Sequence, residues 1–364
     1  GGDRAPGFEK GGKTAYESEA PKFTITKANV ATYSKNMTPG QLALFTQYPD
    51  SYKMNVYASK RTLHNPQYVY DATAKNAVNA VLTGTDSLAG AAIGYPFPIP
   101  KTGAEVIWNH KLRYRTAGQT RVNNQFAVTQ GGSYNQTKLI EEVSFIYSKP
   151  TATPENLNNV LFYFNQIITA PPRLAGTITV AHETMDQVKE ARRAWQYNPS
   201  QKRMRRAPNV GYDNPGQGAD GLRTNDQTDT FNGALDRYDW KLVGKKDIYV
   251  PYNSFKLASR SAKYADIIKP KHINQDLPRY ELHRVWVVDS TVKAGQNHSY
   301  GRRTFYVDED GWQIVAIDIY DSRKTLWRVQ ETHTVQSDQQ AQVAIAETIY
   351  DLPAGKYLAQ AMFN

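Results

Sequence analysis

The stretch Trp195-Gln196-Tyr197-Asn198-Pro199-Ser200-Gln201-Lys202-Arg203-Met204-Arg205-Arg206 decides the fold class, because its pattern predicts two short strands joined by a turn. In the returning strand, alternation puts Lys202, Met204 and Arg206 on one face. Arg203 and Arg205 fall on the other face. A strand with charge on both faces suits the edge of a sheet, where neither face is fully buried.

The chain after this hairpin continues the β pattern. A second hairpin is predicted from 236–243 and 247–252, turned at Gly244-Lys245, in which Tyr238, Trp240 and Leu242 alternate with charged residues. Six more strands are predicted after Pro278, at 279–293, 299–307, 312–320, 325–335, 342–350 and 356–363. A sequential antiparallel meander of this length must curl to bury one face. The sequence therefore predicts a mainly β protein with helices (α+β), built as a curved antiparallel half-barrel.

Helix signals lie mostly before the sheet. Thr38-Pro39 and Thr102-Gly103 each place a cap ahead of a helix. A covering helix is predicted at 154–168, with Thr153 as its cap and an apolar stripe meant for the concave face. We therefore expect residues 1–112 to form an N-terminal arm and short helices packed on a sheet spanning 113–364, in one structural domain.

Composition narrows the partner class. The 364 residues are 40% hydrophobic, and the formal charge is 44 − 34 = +10, which favours an acidic partner or serves solubility alone. There is no cysteine, and no apolar run approaches the roughly 20 residues that span a bilayer. We expect a soluble or peripheral protein that does not span the membrane.

Motifs of known chemistry are missing. The seven histidines show no metal-ligand spacing, and no nucleophile elbow or phosphate-binding glycine loop occurs. Asp308-Glu309-Asp310-Gly311 predicts a hairpin turn, since the full calcium-loop pattern is missing. We therefore expect no catalytic residues, no metal and no cofactor. No nucleic-acid-binding pattern accompanies the basic charge.

Several short runs together resemble a family of uncharacterised bacterial envelope proteins described as outer-membrane lipoprotein-sorting-like. The runs are 156–164, 170–176, 197–199, 205–210, 236–242, 249–253, 279–286, 308–310 and 326–328. The resemblance extends from about Lys22 to the C-terminus. It implies a signal peptide, a periplasmic location and a half-barrel like that of periplasmic lipoprotein carriers. It also implies, as partners, an inner-membrane transporter of the resistance-nodulation-division type and an outer-membrane protein. It implies no reaction.

Two candidate sites follow from the residues. The first is an apolar cavity wall for a lipophilic ligand, whose predicted lining is Leu161, Phe164, Tyr238, Trp240, Leu242, Val315, Ile317 and Ile319. The second is the basic hairpin, in which Arg203, Arg205 and Arg206 either dock on an anionic surface or protect an exposed edge.

Three functions stay open at this point. The leading hypothesis is a periplasmic, non-enzymatic carrier or adaptor that binds a lipid or hydrophobic small molecule and works with an inner-membrane transporter. The alternatives are an envelope hydrolase acting on a lipid or ester, and a structural envelope protein whose cavity is filled by its own side chains. An open apolar cavity favours the carrier, and a hydrogen-bonded His–carboxylate pair near a serine favours the hydrolase.

Overall fold

A computed structural model describes residues 15–208, 210–337 and 340–363. Its strands are β1 (Phe23–Ile25), β2 (Met54–Tyr57), β3 (Val81–Thr83), β4 (Ser87–Ala89), β5 (Gly118–Val128), β6 (Tyr134–Phe145), β7 (Val160–Ala170), β8 (Ile178–Thr184), β9 (Arg193–Asn198), β10 (Arg203–Arg206), β11 (Tyr238–Pro251), β12 (Tyr280–Val292), β13 (Arg302–Asp308), β14 (Ile314–Tyr320), β15 (Leu326–Gln336), β16 (Gln342–Asp351) and β17 (Lys356–Met362). Its α-helices are α1 (Val30–Tyr33), α2 (Pro39–Gln47), α3 (Gln67–Asn79), α4 (Gly103–Lys111) and α5 (Tyr264–Ile267).

One large curved sheet contains all of these strands except the β3–β4 hairpin. Its order is β1-β2-β12-β13-β14-β15-β16-β17-β5-β6-β7-β8-β9-β10, with β11 paired to β12. Among the described strands only the short β2–β12 contact is parallel. The predicted α+β half-barrel and its meander from residue 279 onward are confirmed. The boundary at residue 112 stays a prediction, although the sheet reaches back across it through β1 and β2.

The predicted helix 154–168 is wrong, because this segment forms a turn followed by β7. Thr153 caps only the turn, where its hydroxyl accepts a hydrogen bond from the Asn156 N–H at 3.2 Å. Asn158 and Asn159 then adopt positive φ angles of 49° and 63°, which end any helical path. The run from Val160 onward is rich in β-branched and aromatic residues and pairs with β6 on one side and β8 on the other. Hydrogen bonding to β6 and β8 therefore favours a strand here, although the apolar residues have helical spacing.

The predicted turn at Gly244-Lys245 is also wrong. β11 runs unbroken alongside β12, with a register shift between Leu242 and Gly244. Gly244 has a φ of 137°, so it accommodates the irregularity that a side chain would resist. β12 pairs with β11 on both sides of this bulge, so 238–251 form one strand and not a hairpin.

A second bulge changes the faces predicted for 312–320. Ile314 pairs with Val307 and Ala316 pairs with Tyr306, so the register shifts at Val315. Val315 therefore packs in a cluster with Val285 and Tyr252, whereas Ile317 and Ile319 pack in a different cluster on the opposite face. The prediction that Val315 shares a face with Ile317 and Ile319 is wrong.

Both faces of the central strands are covered. We call inner the face that contacts α4 and the segment 210–237, and outer the face that contacts α2 and the segment 252–279. This double coverage explains why β14, β15 and β16 are almost wholly buried although they belong to an antiparallel meander.

Helix α2 docks on the outer face through a buried carboxyl group. Thr38 caps the helix in a capping box with Gln41, as its sequence predicts. The Thr38 hydroxyl and the Gly40 N–H both donate to Asp318 Oδ1 at 3.0 Å. Burial raises the pKa of Asp318 to about 6, against the effect of these hydrogen bonds. The start of α2 is thus matched to one side chain of β14.

Gly40→Ala should destabilise the protein, because a Cβ at this position would lie 2.3 Å from Asp318 Oδ1 and 2.9 Å from Val329. We expect a loss of about 1–3 kcal/mol in the free energy of unfolding, measured by urea titration. Gly131→Ala is the matched control, since a Cβ there meets no atom within 4 Å. Equal stability of the two variants would contradict this account of α2 docking.

Glu331 should make stability fall as pH rises. Its carboxyl group lies on the outer face, where Tyr280 donates to Oε1 at 3.0 Å, and burial raises its pKa to about 7. The folded state therefore binds this proton more tightly than the unfolded chain does. The contribution of Glu331 to the free energy of unfolding is complete below the pKa of the unfolded chain and is lost as pH rises through about 7. Glu331→Gln should flatten the decline in unfolding free energy between about pH 5 and pH 8. Glu155→Gln, at an exposed turn, should leave it unchanged, and an equal slope in all three proteins would refute the assignment.

Candidate functional site

A cavity of about 510 Å³ lies on the inner face, between strands β5 to β9 and the segment 210–237, and residues 342–344 and Glu347 of β16 also line it. Its apolar floor comes from β6 and β7, where Phe145 pairs with Phe162 and Val143 pairs with Phe164. Ala181 of β8 pairs with Phe164, and both side chains line the cavity. A volume of this size accommodates a small-molecule ligand or a single apolar chain.

Arginines form the other wall of the cavity. Arg113 binds Asp229 with both terminal nitrogens, at 2.9 Å and 2.5 Å, and Arg115 binds the same carboxylate at 2.6 Å. Burial alone would raise the pKa of Asp229, but the two guanidinium groups outweigh it and hold that pKa well below its usual range. Asp229 is therefore ionised, and both arginines are fixed in place.

Three more arginines line the same cavity. Arg121 donates to Glu141 at 2.9 Å across the β5–β6 pair, and Arg192 forms an ion pair with Glu183. Arg223 differs, because no carboxylate of the described residues lies within 4 Å of its guanidinium group. The cavity therefore combines an aromatic floor with a wall that carries positive charge.

Glu347 is the remaining acid of the cavity. Its carboxyl group accepts a hydrogen bond from Gln360 at 2.8 Å and a longer one from the Thr230 N–H at 3.4 Å. Burial, with the neighbouring Asp229 charge, raises its pKa to about 7. Near neutral pH a large share of Glu347 is thus uncharged. The net charge of the cavity is then more positive than it would be with Glu347 fully ionised.

The segment 210–237 forms the roof, and buried hydrogen bonds hold it across the sheet. Asp226 accepts from His298 at 2.8 Å and from Arg303 of β13 at 3.0 Å. Gln227 donates to Gln330 of β15 at 2.9 Å. The roof is therefore attached to β13 and β15, two strands that do not themselves line the cavity.

Of the predicted cavity residues, only Phe164 lines this cavity. Tyr238, Trp240, Leu242, Ile317 and Ile319 lie on the inner face as expected, but side chains of the roof and of α4 pack against them. Their ring partners include Phe231, whose centroid is 5.7 Å from that of Trp240. Leu161 is fully buried in the same cluster, and Val315 lies on the outer face. The role of these seven residues in ligand binding stays a prediction.

The predicted docking residues lie on β10, the last strand of the sheet. Arg203, Arg205 and Arg206 are all exposed, and among the described residues none has a carboxylate within 4 Å. The prediction of an edge strand is confirmed by the strand order. Docking of these three arginines on an anionic surface stays a prediction.

Sequence reasoning missed the arginine wall. Arg113 and Arg115 lie between a helix and a strand, Arg121 lies on β5, and Arg223 lies in the roof, so no short motif joins them. One signal was available: Arg121 and Glu141 occupy positions that alternation aligns with buried strand residues. Charged residues at such positions have partners or a function.

Within 15–208, 210–337 and 340–363, no cluster of three or more His, Asp or Glu side chains suited to a metal ion occurs. Within the same ranges, no helix has the length and apolar character needed to cross a membrane.

Comparison with known proteins gives one strong sequence match and several weaker structural ones. The uncharacterized protein PA3922 of Pseudomonas aeruginosa is 51% identical over 351 residues, which cover 96% of this chain and 77% of that protein. A putative outer membrane lipoprotein-sorting protein domain from Vibrio parahaemolyticus aligns with a TM-score of 0.46 and 13% identity, over 71% of this chain and 88% of that one. A DUF1329 family protein from Desulfovibrio piger aligns with a TM-score of 0.43 and 12% identity, over 67% and 83%. A LolA superfamily protein from Nitrosomonas europaea aligns with a TM-score of 0.42 and 10% identity, over 72% of this chain and 91% of that one.

The family assignment rests on the sequence. The profile of the protein family of unknown function DUF1329 matches residues 24–364, nearly the whole chain. The resemblance deduced from the short runs is thereby confirmed, and this chain belongs to the DUF1329 family.

Proposed function

We propose that this protein is a periplasmic carrier without catalytic activity, which binds a lipophilic ligand in the inner-face cavity and passes it to or from an inner-membrane transporter. The observation that carries the proposal is the cavity beside Phe145, Phe162 and Phe164, of which Phe145 and Phe162 are buried and Phe164 is only partly buried. Apolar surface left in contact with water is unfavourable by about 25 cal/mol per Å², and a lipophilic ligand would cover it.

The inner face has a packed part and a hollow part, and the hollow part also supports a carrier. Around Trp240 and Phe231 the interior is filled by the protein's own side chains, as a structural protein would require. Over β5 to β9 the roof stands away from the strands and leaves the cavity. The self-filled alternative therefore describes one half of the inner face, and the carrier proposal concerns the other half.

A hydrolase finds less support. Ser51 Oγ lies 2.8 Å from His272 Nε2, but the other ring nitrogen contacts the carbonyl oxygen of Ile273 at 2.7 Å and no carboxylate. Neither Ser51 nor His272 lines the cavity. The buried His298–Asp226 pair holds the roof in place and contacts no serine hydroxyl among the described residues.

The family resemblance supplies the proposed setting. It implies export to the periplasm and cooperation with a resistance-nodulation-division transporter and an outer-membrane protein. Arg203, Arg205 and Arg206 on the free edge strand supply a positive surface suited to anionic headgroups or to an acidic face of such a partner.

Ala181→Trp should abolish binding of a neutral hydrophobic dye such as N-phenylnaphthylamine, because Ala181 lines the cavity and an indole at this position would occupy part of its volume. Dye fluorescence measures the binding, and circular dichroism with thermal melting checks the fold. Val122→Trp is the matched control, since Val122 is exposed on β5 outside the cavity. A wild-type protein that binds neither the dye nor lipids recovered by native mass spectrometry would refute the carrier.

Reversing the charge of Arg203, Arg205 and Arg206 to Glu should weaken binding to liposomes that contain anionic lipid. The effect should shrink as salt rises, since exposed charges are screened beyond about 8 Å at physiological ionic strength. A variant with Lys75, Lys101 and Arg323 reversed to Glu has the same net charge at exposed positions elsewhere, and should bind as the wild type does. Equal loss in both variants would show that only total charge matters and would rule out a docking surface on β10.

A further inference from the structure

We propose that the ligand of this cavity is an amphiphile with one apolar chain and an anionic head, and that the guanidinium group of Arg223 binds the head. This inference rests on the proposed carrier function and specifies its ligand class. The shared head chemistry is a carboxylate or a phosphate. The apolar chain would lie on the floor of Phe145, Phe162 and Phe164.

The apolar and cationic surfaces of the cavity meet directly. The guanidinium carbon of Arg115 lies 4.3 Å from the centroid of the Phe145 ring, at one end of the aromatic floor. A neutral apolar ligand would cover the floor but leave the cationic wall facing a less polar space. An amphiphile fits both surfaces, because its apolar chain can contact the aromatic floor while its charged head contacts the adjoining cationic wall.

Arg223 is the cation of the wall whose charge is left unmatched. Its Nε donates to Gln125 Oε1 at 3.3 Å and a terminal nitrogen donates to the Thr224 carbonyl at 3.4 Å. Both acceptors are neutral, and both distances are longer than those of charge-assisted hydrogen bonds. Burial lowers the pKa of Arg223, and the nearby charges of Glu347 and Glu141, which form no direct ion pair with it, oppose that effect only in part. An arginine in this position gains from an anion that reaches it.

Packing against Gly216 also restricts the conformation of the Arg223 side chain. Gly216 lies directly against it, and a Cβ on Gly216 would come within 2.6 Å of the guanidinium carbon. The Gly216 N–H donates to the Arg223 carbonyl at 3.0 Å, which closes the turn that presents the side chain. A guanidinium group fixed in this way loses little conformational entropy when it binds an anion.

The remaining charges of the cavity do not replace the missing anion. Asp229 is taken by Arg113 and Arg115, and Glu141 and Glu183 each pair with one further arginine. Glu347 is directed to Gln360 and to the Thr230 N–H, and its pKa, raised by burial to about 7, leaves it only partly ionised near neutrality. A cationic head would therefore meet net repulsion here, and an anionic head net attraction.

Calorimetric titration of the purified full chain with dodecanoate, dodecyl phosphate and dodecanol tests the inference, each below its aggregation concentration. Wild-type protein should bind at least one of the two anions at least tenfold more tightly than dodecanol, since hydrogen bonds to charged groups are worth about that much or more. The preferred anion then identifies the head as carboxylate or phosphate. Arg223→Gln should remove this preference, because it should weaken binding of the anion much more than binding of dodecanol.

Two variants guard against a trivial loss of fold. Arg223→Lys keeps the charge and should retain a preference for the anion, and Arg173→Gln removes an exposed arginine outside the cavity and should behave as wild type. Equal affinity of the wild type for dodecanol and both anions, or an unchanged anion preference in Arg223→Gln, would overturn the inference while dye binding still upheld the carrier. Loss of dye binding and of all three amphiphiles in the wild type would instead overturn the carrier itself.

Discussion

The ion pairs between Asp229 and the two arginines that follow α4 hold the interior of this protein together. They tie the roof segment to the start of β5, at the boundary between the packed and hollow parts of the inner face. A carboxylate is costly to bury unless it is paired and hydrogen-bonded, and here Arg113 and Arg115 supply both. His110 extends the same anchor, because one ring nitrogen contacts the Asp229 carbonyl and the other contacts the backbone of β14. Burial and the nearby guanidinium groups lower the pKa of His110 to about 3, so it remains neutral and adds no charge.

This anchor gives the inner face its two different halves. On one side of it, Phe231 and Leu235 of the roof pack with α4 against β11 to β14, and no room remains. On the other side, the roof is held through Asp226 and Gln227 to strands beyond the cavity, and it spans β5 to β9 without filling the space above them. Apolar packing adds to these bonds, because Ala219 and Leu222 of the roof are buried against Ala127, Ile349 and Leu358 of the sheet. Directional hydrogen bonds, ion pairs and this small apolar cluster together position the roof above the cavity.

Much of the fold could be predicted because its signals are local. The six strands after Pro278 alternate or are strongly apolar and are separated by clear turns, and both capping boxes occur where Thr38 and Thr102 place them. The errors arose where local signals were ambiguous. The apolar residues of 157–168 fit a helical spacing, yet the same run has high β propensity, and only the neighbouring β6 and β8 decide between the two. Bulges at Leu242–Gly244 and at Val315 shift the alternation by one residue. Gly244 fits a turn as well as a bulge, and Val315 has no local signal for a bulge.

By itself the sequence determined the curved antiparallel sheet, the helix caps, the basic edge strand and the family, because each depends on residues close together in the chain or on short matching runs. It also assigned Tyr238, Trp240 and Ile317 correctly to the interior, since alternation assigns side chains to faces. Only the tertiary structure decided which part of that interior is full and which is open. Arg113, Arg121 and Arg223 come from three separate segments, and their meeting over the Phe162–Phe164 floor depends on how the roof crosses the sheet. That crossing is set by buried ion pairs between residues more than a hundred positions apart, such as Arg113 and Asp229, which no local pattern encodes.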